Sequence, residues 1–150
     1  MRMVDVSGKR KTARIAVAQS EVRCLLSSLK RVKNRETDKG DVLAAARLAG
    51  VMAAKRTPDI IPLCHPIALS SVDVDIVLDE GRRCFIVESC VRTVDRTGVE
   101  MEALAACAAA SLTIYDMLKR YDRGMEITAL RLIKKSGGRS GGWSRTSEKT

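Results

Sequence analysis

"SVDVDIVLDEGRRCFIVESCVRTV", residues 71–94, is the stretch on which the fold class turns. Val72, Val74 and Ile76 alternate with Asp73 and Asp75, the period-two pattern of a strand with one face buried. "DEGRR" then supplies turn chemistry, and "CFIVESCVRTV" is a second strand rich in β-branched residues. Residues 71–94 therefore predict an antiparallel hairpin.

Upstream, "TARIAVA" (12–18) predicts a short strand. Ser20 reads as the N-cap of a helix running to about Lys33, because Val22, Leu25, Leu26 and Leu29 follow the i, i+3, i+4, i+7 spacing. "NRETDKG" is a loop, and "DVLAAARLAGVMAAKR" (41–56) a second helix whose Gly50 and alanines allow close approach of another backbone. Downstream, a long helix is expected from about Val99 to Arg120, and "MEITALRLIKK" (125–135) returns as a strand. The order is β, α, α, β, β, α, β. With the first two helices counted as one crossover, it is the ferredoxin-like split βαβ arrangement, an α+β fold with helices on one face of an antiparallel sheet. Residues 1–142 are expected to form one domain, and 143–150 a mobile basic tail.

At 150 residues and 45% hydrophobic content the chain can bury one real core. It has no uninterrupted apolar run of about 18 residues, and its first residues lack a signal peptide's apolar stretch, so a soluble, cytoplasmic protein is expected. Five cysteines, without CxxC spacing, fit reduced thiols better than a disulfide framework or a zinc motif. Net charge +9 points to anionic partners. Only Phe85, Tyr115, Tyr121 and Trp143 offer rings for stacking on bases, which turns the choice from nucleic acid toward phosphate esters.

The single histidine, His65, lies in "IIPLCHPIALS" (60–70) between Pro62 and Pro66. Both prolines push the preceding residue out of the helical region, so "LCH" is expected to be extended, with Leu63 and His65 on one side and Cys64 on the other. That geometry does not let Cys64 and His65 clasp one metal, and no metal site is expected. Two readings of His65 stay open: a ring hydrogen-bonded at the core edge, and an acid/base group held in fixed presentation by the prolines.

Thr97 to Glu100 matches a T-x-x-E capping box, whereas Glu102 has no such explanation beyond favouring the positive end of the helix. A carboxylate there suits a ligand edge rich in N–H donors, such as guanine or a pterin. Asp116 and Lys119, three apart near the other end, share a face and read either as a surface ion pair or as chemistry. Glu102 and Asp116 are nearly four turns apart, on one face yet about 21 Å distant along the axis. If both serve one ligand, the pocket must be shared between subunits. Lys39 on its Gly-containing loop, and Lys134, Lys135 and Arg139 in "KKSGGRSGG", suit phosphate, while Lys9, Arg10, Lys11 and Arg14 read as solvation.

"KGDVLAAARLAGVMAAKRTPDIIPLCHPIALS", "TGVEMEALAACAAASLTIYDMLK", "KSGGRSG" and an initial "MVDVSGK" together resemble the molybdenum cofactor biosynthesis protein C family over nearly the whole chain. The resemblance implies conversion of 3′,8-cyclo-7,8-dihydroguanosine 5′-triphosphate to cyclic pyranopterin monophosphate with loss of pyrophosphate, by a lyase without a resident cofactor. It implies a ferredoxin-like fold and a hexamer of three dimers, with pockets at the dimer interface. It places Leu63, Cys64, His65, Met101 and Glu102 at the substrate and makes Asp116 the catalytic residue, with Lys39, Lys55, Glu100, Lys119 and Lys135 as further pocket positions. With the residue chemistry added, Asp116 and Lys119 become the acid/base pair, assisted by His65, and Lys39 and Lys135 face the phosphates. Arg96 and Arg139 stand where lysine is expected in many relatives, and Ala45 where threonine is frequent. The competing class is a basic RNA-binding module without catalysis, since βαββαβ is also the order of RNA-recognition domains. Those need aromatics on the central strands, and only Phe85 is available. A purely structural subunit is the third class.

Overall fold

A computed structural model describes residues 1–139 and 141–146. Its elements run β1 (Thr12–Arg23), α1 (Leu26–Lys33), α2 (Val42–Lys55), α3 (Thr57–Ile60), β2 (Leu69–Asp79), β3 (Cys84–Asp95), α4 (Glu100–Leu118), β4 (Glu126–Ser136) and β5 (Trp143–Ser144). They build an α+β fold on an antiparallel sheet in the order β2-β3-β1-β4-β5. With β1 between β3 and β4, the two β-α-β crossovers interleave, as the split βαβ order requires. The hairpin of residues 71–94 is β2 paired with β3, Val72 opposite Val91 and Ile76 opposite Val87.

The N-terminal half differs from the expectation at one point. Ser20 does not cap a helix: β1 runs on to Arg23, and α1 begins only at Leu26. Ala16, Ala18, Ser20 and Val22 are all fully buried, a period-two pattern that continues through the residues read as a helix turn. Two flanking partners, β3 and β4, hold the strand's backbone groups over this stretch, and the Ser20 hydroxyl hydrogen-bonds that of Ser111 on α4 at 2.8 Å. Local spacing was overridden by pairing on both edges. The cap of α1 comes from a distant residue, because the Leu25 N–H donates to the buried Asp122 carboxylate at 2.7 Å.

The core lies between the sheet and α4, where Phe85, Val87 and Val91 of β3 meet Ala103, Cys107, Ala110, Ile114 and Leu118. By length and apolar composition α4 could span a bilayer, but half of it is buried inside this fold. Gly50 of α2 confirms the expected close approach: a Cβ there would stand 3.0 Å from the Ala106 carbonyl and from Val74. Phe85 is fully buried, so it presents no ring to a base.

Two register shifts mark the β1–β4 pairing, and Ala129 beside one of them adopts φ 51°. Beyond them Lys135 pairs with the buried Ala16, which turns its side chain to the helix-covered face at the first turn of α4. Trp143 and Ser144 then pair with Lys135 and Lys134, so the segment expected to be a tail is tied to the sheet at its start. Residues 147–150 of that expected tail lie outside the described residues.

Candidate active site

After α3 the chain turns instead of extending. The Cys64 N–H donates to the Ile61 carbonyl at 3.1 Å, and this turn brings Leu63, Cys64 and His65 to one hollow of about 360 Å³. The expectation that Cys64 faces away from His65 is thereby corrected: Pro62 sits inside the turn, so its restricted φ starts a bend in place of a straight segment. Glu100 and Met101 close the hollow from the start of α4, and Val4, Val6 and Lys9 of the N-terminal segment line its outer side.

Glu102 stands behind this hollow at 2% exposure. Its Oε1 accepts the Cys64 thiol at 3.8 Å, and its Oε2 has no partner among the described residues. Burial pushes its carboxyl above the usual range, and burial with the neighbouring Glu102 charge raises the Cys64 thiol as well. A buried carboxylate oxygen without a donor favours a ligand that brings N–H groups.

Glu100 is not part of a capping box. Val99 is the N-cap, without a side-chain bond, and Glu100 opens the helix. Its carboxylate folds back over Gly98 and pairs with Lys135 at 3.0 Å. The ion pair from β4 wins over the cap because the carboxylate gains a full charge partner there.

Lys9 also lines a second, larger hollow of about 940 Å³, with Arg10, Arg14, Gly138 and Arg139. Arg14 is fixed there by donating to the Asp95 and Arg96 carbonyls at 3.4 and 3.2 Å. Gly137 and Gly138 adopt φ of +97° and +77°, and side chains on them would overlap the Ala13 carbonyl and the Arg14 guanidinium. The glycines of "KSGGRSG" serve close approach to β1, not a loose strap.

At the far end of α4, Asp116 sits between two ammonium groups, Lys119 at 2.6 Å and Lys39 at 2.7 Å. Hydrogen bonds from Lys119 and then Lys39 hold its carboxyl down to about 2, and Asp116 in turn raises Lys119. These groups border a hollow of about 400 Å³ with Tyr115, Arg120 and Arg123. Glu102 and Asp116 do not share a face as expected. Fourteen residues fall about 40° short of four turns, and packing buries Glu102 while the Asp116 side chain stays 54% exposed. Lys55 ends α2, exposed, and lines neither region.

Residues 3–138 match the model of the MoaC family. The chain belongs to the MoaC family. A relative from Thermomicrobium roseum is 56% identical over 144 residues, covering 96% of this chain and 87% of its own length. One from Roseiflexus sp. is 58% identical over 140 residues (93% and 89%), and one from Heliobacterium modesticaldum 53% identical over 144 (96% and 91%). All three are named cyclic pyranopterin monophosphate synthase.

In this MoaC-family chain the site residues named from sequence fall into two groups. Leu63, Cys64, His65, Glu100, Met101, Glu102 and Lys135 converge at the start of α4. Lys39, Asp116 and Lys119 converge at its end. The cationic hollow was missed, because Lys9, Arg10 and Arg14 read as solvation and meet Arg139 only through the fold, although Lys9 closes the string "MVDVSGK". Gly98 was missed too. Gly98→Ala is expected to expel the Glu100 carboxylate from its place against Lys135, since a Cβ overlaps it. Substrate affinity should fall about tenfold, the loss of one charge-assisted contact, while melting moves little. Unchanged binding by calorimetry would remove Glu100 from the site.

Proposed function

We propose that this MoaC-family chain is a cyclic pyranopterin monophosphate synthase, a soluble cytoplasmic lyase. Its substrate is 3′,8-cyclo-7,8-dihydroguanosine 5′-triphosphate, and its products are cyclic pyranopterin monophosphate and pyrophosphate. One observation carries the reading: Lys9 lines both the carboxylate-bearing hollow and the cationic one, so a site for a purine-derived ring adjoins a site for its triphosphate. Glu102 and Glu100 accept the ring's N–H edge beside Cys64, His65 and Met101. Lys135 and the arginines of the cationic hollow take the phosphates.

The acid/base group comes from a second subunit. Met101, Ala105, Ala108, Leu112 and Asp116 follow one stripe along α4, with Leu112 61% exposed and the alanines small enough for another helix to approach. An antiparallel α4 from a second copy, centred near Ala109, sets its Asp116 beside the first copy's Met101, at the helix turn that carries Glu102. This supports a homo-oligomer built from dimers, a hexamer in the fullest form.

In the free chain Asp116 and Lys119 are both charged, and a doubly paired carboxylate is a poor base. When the triphosphate draws Lys39 away, Asp116 loses one ammonium and gains basicity. It then takes the proton of the sugar hydroxyl that attacks the α-phosphorus, while pyrophosphate leaves among the cations. Lys119 returns a proton during rearrangement of the ring, with His65 as a second donor or acceptor there.

Incubation of the purified protein with the cyclic dihydro-nucleotide tests the reading. One pyrophosphate should appear per cyclic pyranopterin monophosphate. Tight salt-dependent RNA binding with no pyrophosphate release would overturn the assignment, and a parallel run with chelator decides whether a divalent ion accompanies the triphosphate.

A further inference from the structure

Lys39 reaches Asp116 from a loop between α1 and α2, and long loop side chains are seldom held in place by their own backbone. Here the turn after α4 holds the loop. The Asp38 N–H donates to the Tyr121 hydroxyl at 3.1 Å, and the Asp38 carboxylate pairs with Arg120 at 2.5 Å. The Tyr121 ring packs against the core, and the Arg31 guanidinium of α1 lies over it, 4.7 Å from the centroid. Residue 38 is thus gripped at its amide and at its side chain. The neighbouring Lys39 ammonium then meets two acceptors of residue 116, the carboxylate at 2.7 Å and the carbonyl at 3.0 Å.

We propose that Tyr121 is a positioning residue: its hydroxyl anchors the Asp38 amide and so aims Lys39 at Asp116. This rests on the reading of Lys39 and Asp116 as working residues. Tyr121 itself is not among the residues lining the hollow that Asp116 borders, and its hydroxyl reaches the pair through the loop. The anchor keeps Lys39 within reach both of Asp116 and of an arriving phosphate, so the ammonium is handed over without a search through loop conformations.

Tyr121→Phe removes the hydroxyl and leaves the ring on the core and under Arg31. We expect kcat to fall about fivefold, the worth of one net hydrogen bond, with KM and melting temperature close to wild type. Carboxyl NMR of the same variant should show Asp116 titrating above the value of about 2 that it has with both ammonium groups in place. In a Lys39→Ala background, Tyr121→Phe should cost nothing more. An unmoved Asp116 titration, or an equal further loss of kcat in the Lys39→Ala background, would overturn the proposal. Full turnover by Lys39→Ala removes Lys39 from the reaction and with it the catalytic part of the proposal. The Asp116 titration judges the anchor without reference to activity, so the two failures are distinguishable.

Discussion

Asp116→Asn subunits and Glu102→Gln subunits, each inactive alone, should regain turnover when denatured and reassembled together. Each carboxylate is expected to be worth about 10²–10³ in kcat, the usual cost of removing a positioned acid/base or charge-stabilising group. The separation along α4, about 21 Å, keeps one subunit from offering both to one small molecule. If each site takes Glu102 from one chain and Asp116 from its neighbour, a mixed dimer contains one doubly damaged site and one intact site. Random reassembly then restores about a quarter of wild-type activity, since half of the dimers are mixed and half of their sites are whole. Such recovery is far above the sum of the two single variants. If mixed assemblies, verified by mass spectrometry, show no more than that sum, the shared pocket is wrong.

Glu102→Gln alone should abolish most turnover and yet make the protein more stable. The Glu102 carboxyl is raised above its ordinary 4.5 by burial, so the folded state holds its proton more tightly than the unfolded chain does. Its contribution to stability is therefore present below about pH 4.5 and is lost as pH rises through the folded value, where the buried carboxyl ionises with Oε2 unpartnered among the described residues. Replacing that charge by an amide relieves about 1 kcal/mol, or about 2–4 °C in melting temperature for a chain of this size. The gain over wild type should vanish near pH 4 and grow toward pH 7. Wild-type kcat/KM should show an acid limb above pH 4.5 that the variant lacks, because Asp116, held near 2, stays ionised throughout. A lower melting temperature for Glu102→Gln at pH 7 would mean that the carboxylate has a structural partner.

Much of this was legible without coordinates. The alternation at Val72, Val74 and Ile76 and the turn at 79–83 placed the hairpin correctly, because a half-buried strand repeats every two residues whatever packs on it. The chemistry-bearing residues were also readable as types: a lone histidine between prolines, carboxylates at one end of a helix and an Asp–Lys pair at the other. The errors fall where a distant partner decides. Ser20 looked like a cap, but pairing with β3 claims its backbone and Ser111 its hydroxyl. Glu100 looked like the far half of a capping box, but Lys135 holds it. The Leu63–His65 segment is the local exception: it looked extended, but the turn closed on Ile61 brings all three side chains to one hollow.

The sequence by itself determined the order of the main elements, though not the short α3 and β5, together with the helix-on-sheet class and the family, since periodicity and motif strings are local properties carried along the chain. Only the tertiary structure decided which charges meet. Lys135 reaches Glu100 through pairing of β4 with β1, Lys9 joins the two hollows through the path of the N-terminal segment, and Tyr121 holds the loop of Lys39 from residue 38. Such contacts join residues 35 to 119 positions apart, from Glu100–Lys135 to Ala16–Lys135, where sequence spacing carries no information and packing of the sheet sets the distance.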